Sequence, residues 1–216
     1  MNRLLRPRVL LADDHRIVAE GLKSLLARDF ELVDVVEDGR ALVAAARKLR
    51  PDAIVADNTM PHLNGLDALT QLKKDNPAVK VVFLTMHQEV AYARRALEAG
   101  ASGFVLKHSA PAELVTAIRA ALNGQTYITP ALAGEVFQSL HEGPKATADP
   151  IAKLTPRQRE IIQLLAEGRS AKEIADTLGI SARTVEFHKY QMMEALRLQN
   201  SAELVRFAIK HGLLEM

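Results

Sequence analysis

The sequence predicts two units: an α/β domain built on a doubly wound parallel sheet, then a small all-α domain. Three observations carry that expectation. Short apolar runs alternate with segments of helical periodicity from residue 7 to about 123, the pattern of strands covered by helices on both faces. Four of those runs end in a polar or charged side chain: Val9 to Ala12 in Asp13-Asp14, Ala53 to Ala56 in Asp57, Val79 to Leu84 in Thr85, and Phe104 to Leu106 in Lys107. Beyond a Gly- and Pro-containing stretch, four segments from Leu154 onward read as separate capped helices.

In chain order, Pro7 to Asp13 reads as a strand and Arg16 to Ala27 as a helix, with Ile17, Val18, Leu22, Leu25 and Leu26 at helical spacing. Glu31 to Val36 is a second strand and Gly39 to Leu49 an Ala-rich helix. The third strand, Ala53 to Asp57, leads through Asn58, Met60-Pro61 and Asn64-Gly65 into a helix over Leu66 to Lys74, stopped by Asn76-Pro77. Val79 to Leu84 and Gly103 to Leu106 complete five strands. Glu89 to Ala99 and Ser109 to Leu122 complete five helices. Tyr127 to Pro130 reads as a turn into a helix over Ala131 to Leu140. HEGPKATADPIA then reads as a flexible linker, with the domain boundary near Gly143 to Pro150.

The last unit is rich in punctuation. Thr155-Pro156-Arg157-Gln158 and Ser170-Ala171-Lys172-Glu173 are capping boxes, and Ser181 and Ser201 open two more helices. Ala175, Gly179 and Val185 fit a helix-turn-helix: the small residue lets two helices approach, glycine makes the turn, and the β-branched residue is buried.

Composition bounds the function. The 216 residues suit two small domains, and 48% hydrophobic with 25% charged content matches an ordinary globular chain. No apolar run approaches the roughly 20 residues of a membrane span, and the start lacks a signal peptide's apolar core. Cytoplasmic is the expectation. Zero cysteines exclude disulfides and thiolate metal sites. The net charge of +2 divides as +2 in 1–123 (17 basic, 15 acidic), −2 in 124–151 (1 and 3) and +2 in 152–216 (10 and 8). DNA affinity must therefore come from local placement of charge.

Carboxylates, a hydroxyl and an ammonium at the carboxyl ends of four strands suit magnesium-assisted phosphoryl transfer to a carboxylate. On that order (Asp-Asp, Asp, Thr, Lys) the chain resembles the receiver domain of two-component response regulators over about residues 7 to 123. The C-terminal segment, led by LTPRQREIIQLLAEG, resembles the LuxR-type DNA-binding domain, and the whole chain the NarL/FixJ class. The resemblance implies a flavodoxin-like (βα)5 receiver with strand order 2-1-3-4-5, residues 1–124. It also implies a linker with one helix, 125–150, and a four-helix LuxR-type domain, 151–216.

It further implies Mg2+ held by Asp14, Asp57 and the Thr59 carbonyl, with Asp13 acting through water. Asp57 would take a phosphoryl group from a sensor histidine kinase and Lys107 would stabilise the transferring oxygens. Thr85 and Phe104 would form the switch. Phe104 reads equally as core filler. His15, His62, His87 and His108 read as solvated loop residues, since none forms an i, i+4 pair on a helix there. Met86 stands where the wider family carries a small residue, and His108 where it carries Pro. Thr59 and His87 flank the phosphoryl site.

In the third helix of the last domain, Val185, Met192 and Leu196 form the core side. Thr184, Glu186, Phe187, Lys189 and Tyr190 then face DNA, with Arg183 beside them. Arg183 and Thr184 suit phosphates, Lys189 guanine or a phosphate, and Phe187 thymine methyls, while Glu186 reads equally as an acceptor from cytosine and as a plain helix-surface charge. Relatives often carry Lys at the positions of Glu186 and Tyr190, and Gly at that of Arg197. The fourth helix, with Leu204, Val205, Ala208 and Ile209, is the expected pairing face of a homodimer on double-stranded DNA. The expectation is a phosphorylation-switched transcription regulator that turns over no external substrate, and the resemblance implies that its free receiver masks the DNA-binding domain or its dimer face. Two other readings stand beside it: a constitutive DNA-binding regulator with an inert receiver, and a Mg-dependent aspartyl-nucleophile phosphatase.

Overall fold

The structure, a computed structural model, describes residues 6–86, 90–141 and 150–214. His87 and the expected boundary near Gly143 lie outside the described residues. The first part is β1 (Arg8–Ala12), α1 (Arg16–Leu26), β2 (Glu31–Val36), α2 (Gly39–Leu49), β3 (Ala53–Asp57), α3 (Gly65–Asp75), β4 (Lys80–Thr85), α4 (Val90–Glu98), β5 (Gly103–Leu106), α5 (Ala110–Leu122), β6 (Tyr127–Ile128) and α6 (Pro130–His141). The strands form one sheet in the order β2-β1-β3-β4-β5-β6, and every pairing is parallel.

Alternation along the strands sorts the core into two layers, because successive side chains leave a strand on opposite faces. Val9, Leu11, Ala53, Val55, Val82, Leu84 and Val105 pack under α1 and α5. Leu10, Ala12, Ile54, Ala56, Val81, Phe83, Phe104 and Leu106 pack under α2, α3, α4 and α6. Both faces are covered, so the strands read as continuous apolar runs.

The sixth strand corrects the expected turn at Tyr127 to Pro130. Tyr127 N–H bonds Ser102 O at 3.2 Å and Thr129 N–H bonds Phe104 O at 3.0 Å. Two residues are too few to display a strand's alternation. The expected linker helix is α6, and Leu132 and Val136 sink it into the α4 side of the core. The segment 127–141 is therefore built onto the sheet.

The second part comprises a 3-10 turn at Pro150–Lys153, then α7 (Pro156–Ala166), α8 (Ala171–Leu178), α9 (Ala182–Leu196) and α10 (Ser201–Lys210). Both capping boxes form as the sequence predicts. Gly179 ends α8 in the left-handed conformation at φ 64°, and Ala175 and Val185 are buried on either side of that turn. Arg197, at the position expected to end differently without glycine, adopts the left-handed conformation all the same, at φ 56°. Among the described residues no helix is long and apolar enough to cross a membrane.

Candidate functional site: a carboxylate pocket and the helix docked beside it

The parallel register brings the strand ends together. Because β1 and β3 are neighbours and their connections leave to opposite faces, a crevice opens at their carboxyl ends. Asp13 and Asp14 follow β1, Asp57 ends β3, Thr85 ends β4 beside it, and Lys107 follows β5. Gly65 closes the loop after Asp57. A Cβ there would lie 2.6 Å from the Asp57 carbonyl oxygen and 2.7 Å from the Phe83 ring, so only glycine lets the start of α3 approach so closely.

Asp57 is 1% exposed. Lys107 Nζ lies 2.5 Å from Asp57 Oδ2 and 3.0 Å from Asp13 Oδ2, and Thr59 N–H reaches Asp57 Oδ1 at 3.4 Å. Burial pushes the Asp57 carboxyl up to about 6 against the opposing pull of Lys107, with Asp13 adding to the rise. Burial works to lower the Lys107 pKa, but Asp57 and Asp13 outweigh it and the net direction is upward. Lys107 is thus a firmly protonated partner to the carboxylates, as its place after a strand predicts.

Asp13 and Asp57 are buried, Asp14 is partly exposed, and the Thr59 backbone is buried beside them. Asp13 Oδ2 lies 3.0 Å from Lys107 Nζ, and Asp14 Oδ1 3.0 Å from His15 Nδ1. Ligand atoms of Asp13, Asp14, His15 and Asp57 all lie within 4.8 Å of one another. The three carboxylates of that set offer oxygen ligands that fit a hard divalent cation such as Mg2+. Among the other expected residues, Thr85 is buried. Phe104 is fully buried with its ring 6.2 Å from that of Tyr92. Phe104, read both as a switch residue and as core filler, is thus already turned inward in this conformation.

The histidines divide. His108 is exposed, as expected. His15 is not a free loop residue: its Nδ1 lies 3.0 Å from Asp14 Oδ1, 3.5 Å from Asp13 Oδ1 and 3.8 Å from Asp57 Oδ2. His62 sits in the loop after Asp57 at φ 66°. Its backbone N–H donates to Glu167 Oε1 at 2.8 Å.

That last bond belongs to a contact that the sequence reading missed. Helix α7 docks on the β3–α3 loop and on α3. Gln163, with no exposed surface, donates from Nε2 to Met60 O at 2.8 Å and accepts from Asn64 N–H at 2.8 Å and Asn64 Nδ2 at 3.2 Å. The Arg159 guanidinium grips Asp67 Oδ1 through Nε at 2.8 Å and Nη2 at 2.6 Å. Glu160 accepts from Gln71 and Arg40, each at 3.2 Å. The polar stripe Arg159, Gln163, Glu167 at spacing four was the available signal, but it looks identical to a solvated helix face.

Helix α9 presents the expected DNA-facing residues. Arg183, Phe187 and Tyr190 are exposed, while Val185 and Met192 are buried in the helical core. Thr184 also serves the helix start, its Oγ1 2.8 Å from Ser181 Oγ. Glu186 and Lys189 pair at 2.5 Å, and Lys189 Nζ lies 5.4 Å from the centre of the Tyr190 ring. Part of the positive charge on this helix is thereby already neutralised.

Comparison with known proteins agrees with this division of labour. Residues 9–119 match the family described as response regulator receiver domain, and residues 152–208 the bacterial regulatory proteins of the luxR family. The chain is 34% identical to the oxygen regulatory protein NreC of Staphylococcus carnosus over 96% of this chain and 99% of that protein. It is 34% identical to the response regulator UvrY of Escherichia coli K12 over 95% and 94%. Among solved structures it resembles RcsB of Salmonella enterica serovar Typhimurium bound to promoter rprA in the presence of the phosphomimetic BeF3-. That likeness has a TM-score of 0.62 and 27% identity, and covers 94% of this chain and 98% of that one.

Proposed function

We propose that this chain, which belongs to the two-component response regulators that join a receiver domain to a LuxR-type domain, takes a phosphoryl group on Asp57 from a sensor histidine kinase and then regulates transcription as a DNA-bound homodimer. The observation that carries the reading is the Asp57 carboxylate, buried at a strand end with Lys107 Nζ 2.5 Å away. An inert receiver would have no reason to bury a carboxylate against an ammonium there.

The chemistry follows from the residues. With its pKa raised to about 6, Asp57 is ionised near neutral pH and more basic than an ordinary aspartate, which favours it as a nucleophile. It would attack the phosphorus of a phosphohistidine. An O–P bond forms, the P–N bond breaks, and the electron pair leaves with the imidazole. Lys107 offsets charge on the transferring oxygens, and the Thr85 hydroxyl would donate to the new phosphoryl group. Mg2+ held by Asp14, Asp57 and the Thr59 carbonyl, with Asp13 through water, would supply further charge neutralisation. The position two residues after Asp57 is Thr59, not a second carboxylate, so turnover of an external phosphate ester is not expected.

The receiver would extend beyond residue 124 to take in β6 and α6, which join its sheet and core, and the DNA-binding domain would comprise residues 151–216. A cytoplasmic setting accords with this role. The inter-domain hydrogen bonds described above come from α7, whereas α9 keeps Phe187 and Tyr190 exposed. The docked form would thus hold the second domain in a fixed orientation without covering its base-reading side chains. A charge change at Asp57 would loosen the loop that α7 grips and free two copies to pair on DNA.

Sedimentation of the full chain with Mg2+, with and without beryllofluoride, tests the reading. We expect a dimer with beryllofluoride that Asp57→Asn does not form, together with tighter binding to promoter DNA. Failure of beryllofluoride to bind would refute Asp57 as the phosphoacceptor.

A further inference from the structure

We infer that Thr129 is a positioning residue for Lys107: its hydroxyl fixes the turn from which the ammonium reaches Asp57. The inference rests on the reading that Asp57 accepts a phosphoryl group. It extends the machinery of that step to the segment that joins β6 to α6.

The ladder between β5 and β6 comes first. Tyr127 N–H bonds Ser102 O and Thr129 N–H bonds Phe104 O. In a parallel ladder, whose rungs are evenly spaced, the next one would carry Leu106 N–H to the Thr129 carbonyl. That carbonyl is committed elsewhere: it accepts from Leu132 N–H at 2.9 Å, in the first turn of α6. The Thr129 hydroxyl takes its place and accepts from Leu106 N–H at 3.1 Å. A side chain thus carries the pairing of β5 one rung further, to the residue just before Lys107.

The same hydroxyl donates to Glu113 Oε2 at 2.8 Å. Glu113 lies in the first turn of α5, on the far side of the 3-10 turn Lys107–Ser109. One oxygen therefore holds the segment that carries Lys107 at both ends, through Leu106 before it and Glu113 after it. Thr129 is 1% exposed and Leu106 has no exposed surface, so solvent cannot take over a lost hydroxyl's bonds.

Lys107 needs such control. Its side chain is 7% exposed, and its Nζ lies 2.5 Å from Asp57 Oδ2 and 3.0 Å from Asp13 Oδ2. A flexible four-carbon stem delivers its point charge only as accurately as its backbone is held. Misplacement by about 1 Å in a reacting site can cost about a hundredfold in rate. Valine has the shape of threonine without its hydroxyl and would remove both bonds across this turn. Serine would keep them.

Phosphoramidate is the probe, a phosphodonor that needs no kinase. With the full chain and Mg2+, Thr129→Val should lower the limiting rate of Asp57 phosphorylation about tenfold and leave the half-saturating donor concentration within about twofold. Thr129→Ser, which keeps the hydroxyl, should restore the rate to within about twofold of wild type. The second readout is the 15N resonance of the Lys107 ammonium, assigned by its loss in Lys107→Arg. It should move toward the resonances of exposed lysines in Thr129→Val and stay in place in Thr129→Ser. Circular dichroism checks folding. Should Thr129→Val not fold, Glu113→Ala removes one of the two anchors from a partly exposed position and should shift rate and resonance the same way by less. In the folded variant, an unchanged rate, or a slower one with the ammonium resonance unmoved, would overturn the inference and leave Asp57 as the phosphoacceptor. No phosphorylation of the wild type would overturn the phosphoacceptor reading itself, and the role of Thr129 would fall with it.

Discussion

Helices α7 and α9 belong to one small domain and invert the usual relation between polarity and burial. Gln163 and Glu160 of α7 are polar and buried, against the receiver. Phe187 and Tyr190 of α9 are aromatic, yet 59% and 63% exposed. Burial of polar groups costs free energy unless each finds a partner, and here the Met60 carbonyl, the Asn64 amide, Gln71 and Arg40 supply them. Exposed aromatic side chains among polar neighbours mark a contact surface awaiting its occupant. One helix is committed to a partner within the chain, and the other is left free for a partner outside it.

The largest expected effect comes from breaking the committed side. Arg159→Glu places a second carboxylate against Asp67, with a loss of about 3–5 kcal/mol of docking energy. That magnitude shifts the docked-to-open ratio by more than about a hundredfold. Small-angle scattering should show an expanded chain without beryllofluoride, and DNA affinity should rise in the unphosphorylated protein. An unchanged scattering profile would mean that α7 docking does not hold the domains together.

The pocket beside this contact gives the next effect. The folded Asp57 pKa is raised from 3.8 to about 6, so the native state holds a proton that the unfolded chain has released. Stability from this group is therefore full below about pH 4 and lost as pH rises to about 6, by about 3 kcal/mol. Urea unfolding in EDTA should show that decline in the wild type and not in Asp57→Asn.

On the free side, Phe187→Ala should weaken operator binding by about 1–3 kcal/mol. It should change folding stability by less than about 0.5 kcal/mol. Parallel DNA titrations and thermal melts separate the two, and a large stability loss would show that Phe187 is part of the fold. The smallest effect concerns the end of α9. Arg197 holds φ 56°, a conformation that costs a residue with a Cβ about 1–2 kcal/mol. Arg197→Gly should raise stability by about 1 kcal/mol in chemical denaturation.

The pocket was readable before any coordinates because a buried parallel strand announces itself as an unbroken apolar run. A charged group that ends such a run can stand only at the carboxyl edge of the sheet. Asp13, Asp57, Thr85 and Lys107 follow from that logic, and the capping boxes of α7 and α8 are equally local. The strand β6 was not readable, since Tyr127-Ile128 is too short for any period. Nor was the ring of His15 over the carboxylates, because its direction depends on how the loop after β1 closes. The same holds for the grip of Gln163 and Arg159 on residues about a hundred positions earlier.

By itself, then, the sequence determined which segments other than β6 are strands and helices, which chemical groups crowd the sheet edge, and where the helix-turn-helix lies. These follow from periodicity and capping, which act over a few residues. Only the tertiary structure decided that a polar stripe on α7 is an interface, that α9 remains uncovered, and that His15 joins the acidic cluster. The reason is physical: a solvated polar face and a buried, fully bonded one have the same spacing along the chain. Only the position of the partner distinguishes them.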